Sequence, residues 1–216
     1  VIAENPTKNV MFSVQERKEM IEAITKHLKN VEIVTLKNKF LVDFALENNC
    51  QFLVRGIRNN IDFSYEYDIY KTNRFITNKI ETIFLMPDDI NSVVSSSWVK
   101  NLMNCYDWQH GIVKKYVDPF VLNKLIEFKM HGIVKEISSK IQCKDSDALW
   151  EEVKKGYSKR AYHNYNHIID GIEKFQQLFP QIFDKFHDTH LILYAWLMHD
   201  IDDSIQKSLE IAKKYI

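Results

Sequence analysis

The first half of the chain alternates between short β-branched apolar runs and longer segments with helical apolar spacing. The pattern predicts strands at residues 1–3, 31–36, 51–55 and 80–87. It predicts helices at residues 13–29, 38–48, 61–76 and 95–105. The first helix begins with a capping box, in which Ser13 is followed three residues later by Glu16. Strands that alternate with helices through short loops predict an α/β fold with a parallel sheet.

The second half of the chain carries no convincing strand pattern. Helices are predicted at residues 119–129, 131–142, 146–156, 165–179, 188–200 and 203–216. The change in pattern predicts two domains, an α/β domain at 1–129 and a smaller all-helical domain at 130–216.

Composition narrows the range of partners. Lys and Arg number 29, as do Asp and Glu, so no overall charge favours nucleic acid or a membrane surface. No apolar run approaches the roughly 20 residues that cross a bilayer, and no signal-peptide pattern is present. The three widely spaced cysteines are expected to be reduced, mostly buried thiols. We therefore predict a cytoplasmic protein that binds neither nucleic acid nor membrane.

Polar residues that bind anions follow three of the predicted strands. They are Lys8 after the first strand, Arg55, Gly56 and Arg58 after the third, and Ser95, Ser96 and Ser97 after the fourth. The carboxyl ends of parallel strands meet at one edge of a sheet, where arginine forks and helix N-termini bind phosphate. The pattern predicts a phosphate site, with Glu66 free to bind a ribose or base. The alternative is that the arginines are solvated or salt-bridged and the serines only cap a helix.

Residues 1–125 resemble bacterial phosphopantetheine adenylyltransferase, of the nucleotidyltransferase superfamily. The matching stretches are "NPTKNVMFSVQERKEMI", "LVDFA", "VRGIRNNIDFSYEYDIYKTNR", "ETIFLMP" and "VSSSWVK". The resemblance implies a doubly wound, Rossmann-like parallel sheet. It also implies transfer of the adenylyl group of ATP, with Mg²⁺, to 4′-phosphopantetheine, which yields dephospho-CoA and pyrophosphate. A homo-oligomer, a hexamer in that family, is the implied assembly.

The resemblance also implies individual roles. Lys8 and Arg58 would be catalytic. Phosphopantetheine would be bound by Lys8, Leu41, Arg55 and Asn73. ATP would be bound by Gly56, Ile57, Arg58, Glu66, Asn91, Ser92, Val93, Val94, Ser95, Ser96 and Ser97. No side-chain base is needed, because the nucleophile is a phosphate oxygen that is already ionised at neutral pH.

One element of that family is absent from the sequence. Its phosphate loop of the Thr-x-Gly-His type would precede the strand at 1–3, and its histidine contacts the transition state. Because the later motifs are intact, we expect a preceding segment to supply this loop.

The helical half contains two histidine motifs, "RAYHNYNHIIDGI" at 160–172 and "YAWLMHDI" at 194–201. They resemble the HD superfamily of metal-dependent phosphohydrolases. The resemblance implies that His167, His199 and Asp200 bind Mn, Fe, Zn or Mg, and that the metal activates water. His163 would contact these ligands without binding the metal itself. The family's last ligand, a later aspartate, is not visible in the sequence. The alternative is that His163 caps a helix and His199 fills a polar niche in the core.

Several functions therefore remain open at this point. The leading prediction is adenylyl transfer in coenzyme A synthesis. Hydrolysis by the helical domain is a second, with the first domain acting as a nucleotide sensor. The helical domain is alternatively an assembly or regulatory module without metal. A nucleotidyltransferase with a nicotinamide or glycerol phosphate acceptor is disfavoured by "VRGIR" and "DFSYEY".

Overall fold

The computed structural model of the protein describes residues 1–4, 10–88, 92–158, 160–180 and 189–216. These residues pack as two compact units, Val1–Leu102 and Met103–Ile216. The first unit is α/β and the second is helical. The domain boundary predicted between residues 129 and 130 lies within a helix of the second unit, whereas the packing divides the chain after Leu102.

The first unit contains the strands and helices that the apolar pattern predicts, most of them shorter. The strands are β1 (Ile2–Ala3), β2 (Thr35–Leu36), β3 (Phe52–Gly56) and β4 (Glu81–Leu85). The helices are α1 (Val14–Thr25), α2 (Leu41–Glu47), α3 (Asn60–Ile76) and α4 (Ser96–Leu102). The predicted capping box is confirmed, because Ser13 accepts from the backbone of Glu16 and the Glu16 carboxylate accepts from the backbone of Ser13.

The strands form two small parallel sheets. In the described residues β1 pairs with β2, and β3 pairs with β4 over five residues. The predicted parallel α/β class is confirmed, but the described strands do not join into one doubly wound sheet. The strand predicted at 31–36 is shorter in the structure, and residues 31–34 lie outside it. The reason is that β2 pairs with only two residues of β1.

The core of the first unit explains how helix α2 and strand β3 are held together. Val42 and Ala45 of α2 pack with Leu53 of β3 and with Ile80, and all four are buried. Leu53 faces this cluster, whereas its strand neighbours Phe52 and Val54 are exposed, as the period of two along a strand requires.

The second unit consists of helices in its described residues. They are α5 (Ile112–Tyr116), α6 (Pro119–Lys140), α7 (Ser146–Tyr157), α8 (Tyr165–Leu178), α9 (Thr189–Met198) and α10 (Ile205–Ala212). Helix α6 was predicted as two helices, 119–129 and 131–142, and this prediction is wrong. Burial of Met130 and Val134 on either side of Gly132 holds the helix continuous, since their packing outweighs the low helix propensity of one glycine.

Two expectations from composition can be compared with the structure. The three cysteines are unpaired, but Cys50 and Cys105 are exposed rather than buried. No helix in the described parts of the chain is long and apolar enough to cross a membrane.

Candidate functional sites

The parallel pairing of β3 with β4 brings two predicted ligand-binding segments to one edge of the sheet. Gly56 at the end of β3 lies opposite Leu85 at the end of β4. The next residue, Ile57, is buried, and its backbone N–H donates to the carbonyl of Leu85 at 2.9 Å. The segment that leads to Arg58 and the segment that leads to Ser92 therefore both begin at this edge of the sheet.

Arg55, the predicted phosphopantetheine ligand, forms an ion pair with Glu66, the predicted ATP ligand. Arg55 Nε and Nη2 donate to the two carboxylate oxygens of Glu66 at 2.6 and 2.5 Å. The Glu66 side chain is 10% exposed, and the hydrogen bond to Glu66 is the main cause that raises the pKa of Arg55. The two-point contact fixes the guanidinium plane. Nη1 of Arg55 lies outside this ion pair.

Arg58 is held more loosely than Arg55. Its Nε donates to Asp62 Oδ2 at 2.8 Å and its Nη2 to Asp62 Oδ1 at 3.3 Å, one helical turn along the chain. Asp62 is positioned by Asn59, the N-cap of α3, whose side chain accepts from the backbone of Asp62. The hydrogen bond to Asp62 raises the pKa of Arg58, and the same bond lowers the pKa of Asp62. An ion pair this accessible to solvent adds little to stability, so a phosphate can replace the carboxylate.

Gly56 leaves space beside the backbone between the two arginines. A Cβ at Gly56 would meet no atom within 4 Å, and its φ lies outside the left-handed region. The described residues of the protein therefore give no steric reason for glycine here, and the open space is available to a ligand.

Two other predicted phosphopantetheine ligands lie on helices of the first unit. Asn73 is buried on α3, and its carbonyl accepts from Thr77 at 2.9 Å. Leu41 is the first residue of α2 and is partly buried against the core of that unit.

The predicted ATP segment after β4 is described only in part. Asn91 lies outside the described residues, as does the predicted catalytic Lys8. Ser95 caps α4, because its Oγ accepts from Trp98 N at 3.1 Å and its carbonyl accepts from Val99 N at 2.9 Å. Of the remaining residues, Val93, Ser96 and Ser97 are exposed, and Ser92 and Val94 are partly buried. Their contact with ATP stays a prediction.

In the second unit, three histidines surround one carboxylate oxygen. Asp200 Oδ2 lies 2.5 Å from His163 Nδ1, 2.7 Å from His199 Nε2 and 4.0 Å from His167 Nε2. All four side chains are partly exposed. We call these four residues the histidine–aspartate cluster.

Helix ends position the members of the cluster. Asn164 is the N-cap of α8, and its side chain accepts from the backbone of His167 in the first turn. His163 therefore precedes the helix instead of sharing a helical face with His167. His199 and Asp200 follow the end of α9, where the guanidinium of Arg160 donates to the backbone carbonyl of Asp200.

The geometry groups the candidate ligands differently from the sequence. The ligand atoms of His163, His167 and Asp200 lie within 4.8 Å of one another. The resemblance implies that His163 does not bind the metal itself. In the structure it is as well placed to bind an ion as His167. His199 contacts the same Asp200 oxygen through Nε2. Its Nδ1 lies 2.5 Å from the carbonyl of Trp196, so we assign the proton to Nδ1, which leaves Nε2 for an ion.

The cluster favours the neutral form of its most buried histidine. Burial lowers the pKa of His167, and the nearby rings of His163 and His199 lower it further. A metal binds the deprotonated imidazole, so this shift favours metal binding down to lower pH.

Trp196 packs against the histidine–aspartate cluster. Its ring stacks on His199 with centroids 4.2 Å apart and an interplanar angle of 19°, and its Nε1 donates to the carbonyl of Ile168 at 3.1 Å. Space for this ring comes from Gly171 on α8, where a Cβ would lie 2.2 Å from a carbon of the indole.

We expect Gly171→Ala to lower the free energy of unfolding by up to about 2 kcal/mol. Overpacking against Trp196 costs about 1–3 kcal/mol, and the roughly 1 kcal/mol that alanine gains over glycine in a helix offsets part of that cost. Gly132→Ala in α6 is the matched control, because a Cβ there meets nothing within 4 Å and should be stabilising. Urea unfolding measures both, and equal stabilisation by the two substitutions would contradict the packing described here.

Two supporting residues were not identified from the sequence. Asp62 follows Arg58 by four residues, and this helical ion-pair spacing is a usable signal. Trp196 lies near the end of α9, three residues before His199, but only the structure shows which aromatic ring lies against the histidine.

A comparison with known protein families matches residues 1–102 to the family described as cytidylyltransferase-like. The match covers the same residues as the first compact unit and ends where the helical unit begins. It supports nucleotidyl transfer as the chemistry of this unit. Residues 1–102 of the protein are therefore a cytidylyltransferase-like domain of the nucleotidyltransferase superfamily.

Proposed function

We propose that the first unit transfers the adenylyl group of ATP to 4′-phosphopantetheine and forms dephospho-CoA and pyrophosphate. The observation that carries this proposal is the placement of Arg55, Gly56 and Arg58 at the end of β3, beside the end of β4, in a domain of a nucleotidyl-transferring family. The resemblance of "VRGIRNNIDFSYEYD" to phosphopantetheine adenylyltransferase supports this acceptor.

The chemical step needs alignment and charge neutralisation. A phosphate oxygen of 4′-phosphopantetheine attacks the α-phosphorus of ATP and forms a new P–O bond. The bond from the α-phosphorus to the bridging oxygen breaks, and that oxygen leaves with pyrophosphate. The attacking phosphate is already ionised, so no proton has to be removed. Mg²⁺ enters with ATP and neutralises part of its phosphate charge.

The two arginines suit different parts of this step. Arg55 is held by Glu66, so it offers a pre-oriented positive group that binds the acceptor phosphate through Nη1. Among the described residues, Arg58 pairs with Asp62, whose side chain is partly exposed, so Arg58 can exchange partners and neutralise charge on the ATP phosphates. Lys8, which lies outside the described residues, is proposed as a third cation.

The direct test is an assay of the purified protein with ATP, Mg²⁺ and 4′-phosphopantetheine. We expect dephospho-CoA, identified by mass spectrometry, and pyrophosphate in equal amounts. CTP in place of ATP, and nicotinamide mononucleotide or glycerol 3-phosphate in place of the acceptor, test the alternatives. Absence of dephospho-CoA, or faster turnover of another pair, would overturn the proposal.

The second unit supports a second candidate function, metal-dependent hydrolysis of a phosphoester. The specific observation is the convergence of His163, His167 and His199 on Asp200 Oδ2. This donor set of imidazoles and one carboxylate suits Mn, Fe or Zn. The metal, when bound, would supply Lewis-acid activation of water. Trp196 keeps His199 oriented, and Asn164 keeps His167 at the start of α8.

A further inference from the structure

A second group of potential metal ligands lies in the helical unit, apart from the histidine–aspartate cluster. The ligand atoms of Asp107, His110 and Asp170 lie within 4.8 Å of one another. His110 Nε2 is 3.1 Å from Asp170 Oδ2, and both side chains are 43% exposed. The three residues come from two parts of the chain, since Asp107 and His110 lie in the segment before α5 and Asp170 lies on α8.

Backbone contacts hold the segment before α5 against α8. The backbone N–H of Asp107 donates to Glu173 Oε2 on α8 at 3.2 Å. The carbonyl of Asp107 accepts from the backbones of His110 and Gly111 at 3.2 and 3.1 Å, which closes a turn. Asp107 and His110 are therefore both fixed close to Asp170.

Gln109, between these two residues, provides an independent indication of a ligand. It is 1% exposed, and its Nε2 donates to Asp170 Oδ1. Its Oε1 is buried and has no hydrogen-bond partner in the described parts of the protein. A buried polar atom left unpaired costs about 1–3 kcal/mol. The unpaired oxygen belongs to the same amide whose nitrogen donates to Asp170, so a cation bound at Asp170 is a candidate partner for it.

The charges around this group also favour a cation. Asp107, Asp170 and Glu173 bring three carboxylates together, and within the described residues neither aspartate has a lysine or arginine ion pair. The nearest cationic influence is Lys129, which acts on Glu173 and donates to the carbonyl of Met103. The neighbouring carboxylates repel one another. A divalent ion would relieve this repulsion.

We propose that Asp107, His110 and Asp170 bind a divalent cation of the Mn²⁺ type, next to the oxygen of Gln109. Carboxylate and amide oxygens with one imidazole are the donors that Mn²⁺ accepts. The site shares helix α8 with the histidine–aspartate cluster, because Asp170 follows His167 by three residues. Its existence does not depend on adenylyl transfer or on phosphoester hydrolysis.

Manganese binding to the full chain tests the proposal without any activity assay. Metal-free protein is titrated with MnCl₂, and the concentration of free Mn²⁺ is measured by electron paramagnetic resonance. We expect His110→Ala and Asp107→Asn each to weaken one class of site by roughly tenfold or more. Glu136→Gln, which removes an exposed carboxylate elsewhere in the unit, is the matched control and should bind like the parent protein.

The two metal sites are separated by repeating the titration on Asp200→Asn. The proposal predicts that one Mn²⁺ equivalent remains in that variant and disappears when His110→Ala is added. Circular dichroism in the presence of chelator checks that each variant is folded, and the exposed side chain of His110 makes His110→Ala the safest choice. Unchanged Mn²⁺ binding by His110→Ala, or no binding at all in Asp200→Asn, would overturn the proposal.

Discussion

Arg58→Ala is expected to lower kcat/KM for adenylyl transfer by about 100- to 1000-fold, the usual effect of removing one group that stabilises charge in a transition state. The residue stands one position after Ile57, whose hydrogen bond to Leu85 fixes the end of β3 beside β4. Its partner Asp62 is on α3 and is partly exposed, so the loss of this ion pair should change the free energy of unfolding little.

The control for this substitution is Arg74→Ala. Arg74 lies on α3, like Asp62, and pairs with Glu81 at 2.9 Å. Its loss removes one positive charge and one exposed ion pair away from the end of β3. We expect its kcat/KM to stay within about twofold of the parent value. Steady-state assays of dephospho-CoA formation compare the two variants. Equal losses of activity would show that net charge, not the position of Arg58, matters.

Asp200→Asn is expected to weaken metal binding by the histidine–aspartate cluster by about 100-fold, since the substitution removes the carboxylate that all three histidines contact. Equilibrium dialysis against Mn²⁺ or Zn²⁺, followed by elemental analysis, should show the loss of one equivalent. The matched control is Asp203→Asn, whose side chain is 96% exposed and pairs only with Arg160 among the described contacts.

A metal-free role of the helical unit would give the opposite result. If the unit serves only assembly or regulation, Asp200→Asn and Asp203→Asn bind the same small amount of metal. Urea unfolding in the presence of chelator provides a second readout. Without an ion, Asp200 serves only to pair with the imidazoles, so its loss would then appear as lower stability and not as lower metal content.

Local patterns were enough to predict most of the helices and strands. The Ser13–Glu16 capping box depends on residues three apart, and it is present in the structure. The predicted strand at 51–55 is likewise present as β3, but its continuous apolar run Phe52-Leu53-Val54 does not indicate that only Leu53 is buried. The predicted break in α6 was wrong because the pattern around Gly132 does not include the packing of Met130 and Val134.

The candidate sites were predicted less completely. The sequence indicated that Arg55, Arg58 and Glu66 belong to one site, but it did not indicate that Arg55 and Glu66 pair with each other. It identified His163, His167, His199 and Asp200, but not the contact of His163 with the carboxylate or the support from Trp196. The group of Asp107, His110 and Asp170 has no motif, because 60 residues separate its histidine from the α8 aspartate.

The order of amino acids was sufficient to predict the α/β and helical halves and the residue types of both candidate sites, and it carries the match of 1–102 to the cytidylyltransferase-like family. These properties depend on short-range periodicity and on motifs that lie within single segments. Packing established which carboxylate each arginine and histidine contacts, and that Gln109 donates to Asp170 while its oxygen is buried and unpaired among the described residues. Such contacts join residues far apart in the chain, so they depend on how helices and strands pack and not on the local order of amino acids.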